Sequence, residues 1–412
     1  MESSVAKRTV KGKKYYYLDT NVKDSNGKWK KISVYAGAKK PTGKEITKKE
    51  QELQKKVVTA EKNAFALNPL GTSTKKNLPK VCLLFCGGTI AMQRNEKGFL
   101  RPAKGVEDLL KIAPELTNLV NLSYVFIENI DSTNMQPRVW SKLAEEIHKR
   151  YEEYDGFIIT HGTDTMAYTA SALSLALQNL NKPVVLTGSQ MPPDDPASDA
   201  KNNLINSCRI ASMNLRGVII CFGTKIIQGN KAKKWSEVSL DAFVSHLTGD
   251  IGEIATTISI FESAQRKRSS EQELILKDKF ENGVLQITLV PGMDPGFVEK
   301  IIETGQCKGL ILESFGAGNV PDKWNSFIPL IKRAVHEMNI PVIVTTQCGG
   351  GTSSHMLTYE GGYNAAKAGA ISGKDMTTEC AAVKLMWVLA QTKNMDEIKR
   401  IIHHSYAGEI TP

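Results

Sequence analysis

The chain predicts an α/β fold built on parallel sheets that are covered on both faces, and three observations predict it. From Lys80 onward, short and nearly continuous apolar runs alternate with amphipathic stretches of helical period. Two of those runs stop at glycines and deliver threonines, in Phe85-Cys86-Gly87-Gly88-Thr89-Ile90 and in Thr160-His161-Gly162-Thr163-Asp164-Thr165. The composition, 41% hydrophobic and 23% charged over 412 residues, allows two or three domains with sizeable cores.

The first elements differ from the rest. Residues 13–18 and 30–35 are rich in strand formers and are separated by Asp24-Ser25-Asn26-Gly27. Asn-Gly is a strong hairpin signal, so residues 10–36 read as a small antiparallel element. Residues 46–66 read as a helix, with Leu53, Val57, Ala60 and Ala64 at helical spacing. A polar, Gly/Pro-punctuated stretch over 68–79 follows. Strands are then expected at 81–86, 123–127, 156–160, 183–187 and 217–222, with helices at 137–151, 165–180 and 199–213. The charged segment 264–280 breaks the pattern. Beyond it, strands are expected at 284–289, 309–313 and 341–346, and helices at 322–338 and 375–391. The resulting division is a basic module over 1–70, a linker over 71–79, a larger domain over 80–263, a second linker over 264–282 and a smaller domain over 283–412.

The net charge of +10 is unevenly distributed. Residues 1–80 hold 20 Lys/Arg against 7 Asp/Glu, whereas the remainder holds 33 against 36. All the excess basicity therefore lies in the N-terminal fifth, which suggests an acidic partner for that module. Its interleaving of lysine with Tyr15, Tyr16, Tyr17, Trp29 and Tyr35 would suit nucleic acid, lysines to phosphates and rings to bases. The plainer alternative is a solvated hairpin that packs its tyrosines on itself or on the body of the protein.

Seven cysteines, at 82, 86, 208, 221, 307, 348 and 380, are scattered through apolar segments, and no Cys/His cluster has zinc spacing. Reduced, mostly buried thiols are expected, with Cys82 and Cys86 on one face of a strand. No metal or cofactor is implied. No stretch approaches the ~18 apolar residues of a membrane span. Residues 1–8 lack the apolar core of a secretory signal, so the cytoplasm is the expected compartment.

Both glycine-threonine motifs fall at the carboxyl ends of predicted strands, where open α/β sheets bind ligands. A threonine hydroxyl needs a base or a preorganised charge to act as a nucleophile. Two hydroxyls and the Asp164 carboxylate at one sheet edge suit acyl transfer. A phosphate cradle is the alternative for Gly87-Gly88, but no third glycine and no Gly-Lys-Ser/Thr follows. The second motif opens a helix whose amides favour an anion, and there Thr163 or Asp164 could simply be the N-cap. His148, His336, His403 and His404 read as solvated or core residues.

The motifs, taken together and in order, resemble those of the bacterial and archaeal type I L-asparaginases over residues 79–412. They are Gly87-Gly88-Thr89-Ile90, Asp131-Ser132-Thr133, Asp155-Gly156-Phe157, His161-Gly162-Thr163-Asp164-Thr165-Met166-Ala167-Tyr168 and Leu186-Thr187-Gly188-Ser189-Gln190. Gly229-Asn230 with Lys234, Asp241-Ala242-Phe243 and Gly316-Ala317-Gly318-Asn319 complete the set. The resemblance implies a two-domain fold, a larger parallel-sheet domain followed by a smaller flavodoxin-like one. It implies that Thr89 attacks a side-chain amide to form a β-aspartyl ester that water hydrolyses. Thr163, Asp164 and Lys234 would form the second catalytic group, and Lys234 otherwise reads as one lysine of the solvated run Lys231-Ala232-Lys233-Lys234. Asp164 would bind the substrate amino group, Asp131, Ser132 and Thr133 its carboxylate end, and amides near Gly88 and Gly162 an oxyanion. Asn319 would reach the site from a second subunit of a homodimer or dimer of dimers.

One departure stands out. Where many members carry a loop tyrosine that assists the nucleophile, this chain has Phe99; either another group substitutes, with Tyr359 a candidate and Glu360 near the place of the relay carboxylate, or turnover is slower. L-Asparagine is the implied substrate, with L-glutamine not separable from it by sequence. Two alternatives remain at this level: an asparaginase-like subunit of the archaeal Glu-tRNA(Gln) amidotransferase, and a non-catalytic nucleic-acid-binding protein on the same fold.

Overall fold

Alternating apolar strands and helices close into two α/β domains preceded by a small antiparallel sheet. The computed structural model describes residues 4–10, 13–23, 29–37, 41–42, 45–46, 49–50, 68–69, 78–94, 100–102, 111–262 and 272–411.

The expected hairpin is a three-stranded sheet. Strands β1 (Ser4–Val10), β2 (Lys13–Lys23) and β3 (Trp29–Gly37) pair antiparallel in sequential order. The strand β1 was not foreseen, because its charged sequence carries little apolar signal; it forms the edge, where charge is tolerated. Leu18 and Val34 pair across β2 and β3 and are fully buried, with Ile46 packed on them. Two side chains of this size contribute only about 1.5–3 kcal/mol each. The Asn26-Gly27 turn and most of the 46–66 helix lie outside the described residues.

Strand β4 (Lys80–Gly87) starts the larger domain, with β5 (Asn121–Ile130), β6 (Gly156–Thr160), β7 (Pro183–Thr187) and β8 (Gly217–Phe222). These five pair parallel in the order β8-β7-β6-β4-β5. Their side chains alternate between two cores: Cys82, Leu84 and Cys86 face one, and Val81, Leu83 and Phe85 the other. Helices α1 (Pro137–Arg150) and α2 (Met166–Ala176) cover the first face and α3 (Ala200–Ala211) the second.

The sheet is mixed rather than purely parallel. Strands β9 (Lys225–Gln228), β12 (Asp250–Ile254) and β13 (Ile258–Ile260) extend it antiparallel beyond β8, and Asn68–Pro69 pairs with its other edge. These strands are three to five residues long and follow a hairpin, so periodicity alone does not reveal them. Between them, β10 (Ala232–Lys234) and β11 (Phe243–Ser245) form a separate ribbon.

The smaller domain is a parallel sheet of β14 (Val284–Thr288), β15 (Gly309–Ser314), β16 (Val342–Thr346) and β17 (Ile371–Ser372), in sequential order. Its helices are α4 (Pro295–Glu303), α5 (Ile328–His336), α6 (Glu360–Lys367), α7 (Thr378–Leu389) and α8 (Met395–His403). Helix α5 starts six residues later than the expected 322, because residues up to Ser326 form a turn through Asn325 at φ 49°. Helix α2 also ends early: Leu177–Gln178 form a strand against Ile275–Leu276. Almost every residue of α2 is buried, and its alanines and serines admit α7 of the second domain closely. One apolar cluster therefore runs through both domains. All seven cysteines are free, and only Cys348 is exposed. Among the described residues no helix is long and apolar enough to cross a membrane.

Candidate active site

Three loops at the carboxyl ends of the parallel strands meet through glycines. After β4 the backbone turns at Gly87 (φ 88°) and Gly88 (φ 87°), conformations that favour glycine, and Thr89 opens a short 3-10 turn. A Cβ on Gly88 would sit 2.5 Å from the His161 carbonyl carbon and 2.6 Å from the Gly162 nitrogen. One on Gly162 would sit 2.5 Å from Ser132 Oγ, and one on Gly188 2.4 Å from the His161 oxygen. Hydrogen in place of a side chain lets these backbones touch, which brings the Thr89 loop, the 161–165 loop and the Ser132 turn together.

Thr163 and Asp164 share one cation. Lys234 Nζ, at the end of β10, donates to Thr163 Oγ1 at 2.8 Å and to Asp164 Oδ1 at 2.6 Å. The pair is partly exposed, with the lysine side chain 21% and the aspartate 52% accessible. Neither Thr163 nor Asp164 caps the helix that follows. The N-cap of α2 is Thr165, whose hydroxyl instead donates to the Ser132 carbonyl at 2.7 Å. The capping alternative is thus corrected: the loop takes one more residue to enter the helix, and both functional groups stay with the lysine.

Asp131 is the N-cap of the turn Ser132–Asn134, its Oδ1 accepting from the Thr133 amide and hydroxyl, both at 3.0 Å. Ser132 is buried beneath Gly162, whereas Asp131 and Thr133 are exposed. Asn319 lies elsewhere in the chain, in a turn where its backbone exchanges hydrogen bonds with Phe315. Its Oδ1 is buried without a partner among the described residues. Phe99 lies outside the described residues. Tyr359 is 59% exposed and precedes Glu360 at the start of α6.

A residue that sequence reasoning passed over supports this loop from beneath. His161 is fully buried, with Nδ1 2.7 Å from the Gly162 carbonyl and Nε2 2.8 Å from Thr169 Oγ1. Trp140 Nε1 donates to the same threonine oxygen at 3.0 Å, so the Thr169 proton is free to point at Nε2. Nδ1 then carries the ring proton and donates to Gly162, which fixes the peptide ahead of Thr163. Burial lowers the His161 pKa to about 4, outweighing the Gly162 bond that raises it. Only its adjacency to the Gly-Thr-Asp motif marks it in the sequence.

A pH dependence follows. An unfolded chain binds a proton at His161 below 6.5, and the folded chain does not until about pH 4. This contribution is fully present above pH 6.5 and is lost as pH falls toward 4, at most roughly 3 kcal/mol. Thermal melts at pH 7 and 4.5 should show a smaller acid loss for His161→Gln than for the parent chain. Equal losses would place the acid sensitivity elsewhere.

Comparison with known proteins decides the family. Residues 80–266 match the model for the asparaginase N-terminal domain, and residues 283–402 that for the glutaminase/asparaginase C-terminal domain. The chain belongs to the asparaginase family. It is 34% identical over 334 residues to the L-asparaginase of Thermococcus kodakarensis, covering 81% of this chain and 99% of that one. It is 38% identical over 349 residues to a glutamyl-tRNA(Gln) amidotransferase subunit of Pyrococcus abyssi, covering 82% of this chain and 78% of that protein. The solved structure of the thermostable asparaginase from T. kodakarensis superposes with a TM-score of 0.74 at 33% identity, over 81% of this chain and 99% of that one. The fold is therefore the two-domain asparaginase fold, with a large mixed-sheet domain and a smaller parallel-sheet domain. Among the described residues no group of His, Cys, Asp and Glu could hold a metal ion.

Proposed function

We propose that this chain hydrolyses the side-chain amide of L-asparagine to L-aspartate and ammonia through an ester on Thr89. The observation that carries the reading is the Lys234 ammonium bridging Thr163 and Asp164, at 2.8 and 2.6 Å, beside the glycine contact that joins the two threonine loops. Thr89 attacks the amide carbon, and its proton leaves with the departing ammonia. Water then cleaves the ester, with Thr163, held by Lys234 and Asp164, managing the proton. Asp164 also takes the substrate amino group, and the turn built by Asp131, Ser132 and Thr133 takes the carboxylate end. Amides at Gly88 and Gly162 stabilise the oxyanion. Asn319, in the turn closed by its backbone bonds to Phe315, is proposed to complete a neighbouring subunit's site in a homo-oligomer.

A second reading is favoured by one comparison, since identity to the amidotransferase subunit is 38% against 34% for the asparaginase. In that reading the ammonia is passed to a partner enzyme. Ammonia release from asparagine, glutamine and D-asparagine by the purified chain, without tRNA or partner, separates the two. Turnover of free asparagine supports the first reading, and turnover only with tRNA and partner supports the second.

The basic module is proposed as a nucleic-acid contact separable from catalysis. Its 20 Lys/Arg against 7 Asp/Glu over residues 1–80 support phosphate binding that weakens steeply with salt. A chain starting near Asn77 should keep amidase activity and lose salt-sensitive retention on DNA or RNA. Loss of activity on truncation, or no such retention by the full chain, contradicts it.

A further inference from the structure

Lys234 stands at the end of a segment that the second domain holds from the other side. Three residues earlier, Lys231 is 1% exposed, and its Nζ donates across the domain boundary to the Asp375 carbonyl at 3.0 Å and to Asp375 Oδ2 at 2.6 Å. Asp375 is itself buried and also accepts from the Thr411 amide at 3.0 Å and hydroxyl at 2.6 Å. Burial alone would raise the Asp375 pKa, but the Lys231 and Thr411 donors together lower it, which favours the carboxylate.

The neighbouring residues are fastened in the same way. Asn230 is fully buried, and its Nδ2 donates to the Ala407 carbonyl at 3.1 Å. Gln228 Nε2 donates to the Ala407 and Gly408 carbonyls at 3.1 and 3.0 Å. The 405–411 stretch is anchored in turn by Glu409, which accepts from Lys384 Nζ at 2.7 Å with both side chains fully buried. On the other side, Gly229 lies where a Cβ would meet Ala170 of α2 at 2.8 Å, and Gly249 where one would meet the Lys231 Cβ at 2.4 Å. The His246 amide closes on the Lys231 carbonyl at 2.7 Å. The segment is thus clamped between helix α2, which follows the Thr163 loop, and the second domain.

We propose that Lys231 is a positioning residue: its bond to Asp375 and Thr411 fixes the register of residues 229–234, and so the place of Lys234 against Thr163 and Asp164. The inference rests on the reading of Lys234 as a proton handler. A lysine stem is flexible and the alignment of catalytic groups is steep in distance, so a displacement near 1 Å costs about 100-fold in rate. The ion pair is also a liability, because removing one partner strands the other charge in a buried site. That separates positioning from stability.

The test compares Lys231→Met, the double variant Lys231→Met/Asp375→Asn, and Thr411→Val, each with asparagine as substrate and with melting temperature and circular dichroism measured alongside. Lys231→Met should lower kcat per folded site roughly 10- to 100-fold with KM changed far less, and should melt earlier. The double variant leaves no stranded charge, so it should regain melting temperature while kcat stays low. Thr411→Val, which removes one donor to Asp375, should lower kcat modestly without unfolding the chain, and it decides the matter if Lys231→Met does not fold. Wild-type kcat in folded Lys231→Met overturns the proposal. So does a kcat that recovers together with melting temperature in the double variant, or an unchanged kcat in Thr411→Val. Lys234→Met serves as the reference: if it retains full activity the underlying site reading fails, whereas if it is inactive and the Lys231 and Thr411 variants are not, only the positioning role fails.

Discussion

Thr89→Ala is expected to remove asparagine hydrolysis by orders of magnitude and leave the fold intact. A methyl group cannot form the ester, and no water placed in the gap inherits the hydroxyl's position relative to the oxyanion amides. The side chain is only half-buried and sits in a short turn after β4, so its loss costs about 1 kcal/mol of stability. The melting temperature should therefore hardly move while kcat/KM collapses. Near-wild-type turnover in a well-folded Thr89→Ala would remove the nucleophile assignment.

Lys234→Met and Thr163→Ala should each reduce kcat by about 10²–10⁴, the usual worth of a positioned proton-transfer group. Lys234 Nζ lies 2.8 Å from the Thr163 hydroxyl and 2.6 Å from Asp164, so in the proposed reaction the three groups are expected to act as one unit. The double variant should then be little worse than either single one, because a unit already broken cannot be broken again. Multiplicative losses would mean that the lysine and the threonine serve separate steps.

The parallel strands and both threonine loops were legible because buried parallel strands read as continuous apolar runs that end at glycine. What those glycines do was not legible: Gly88, Gly162 and Gly188 sit where a Cβ would collide with another strand's loop, a contact that appears only in the folded chain. The antiparallel strands β9, β12 and β13 were not, being too short to show a period. The run Lys231-Ala232-Lys233-Lys234 is the sharpest case. It reads as a solvated face, yet Lys231 is buried on Asp375, 144 residues away in sequence, and no local pattern announces such a partner. Lys234 was separable from Lys233 only by family spacing. In the ribbon, Lys233 pairs with Val244 and Lys234 with Phe243, and strand alternation sends the two side chains to opposite faces. His161 was missed because a histidine beside a glycine carries no sign of its burial.

The central claim is that Thr89 carries the acyl group, and the location of the ester tests it most directly. The chain is mixed with saturating asparagine, quenched in acid during turnover, digested and analysed by mass spectrometry, alongside Thr163→Ala. An added aspartyl group on the peptide holding Thr89, present during turnover and gone once substrate is exhausted, is the predicted result. The same group on the peptide holding Thr163, or steady turnover with no ester on any peptide of either protein, would contradict it.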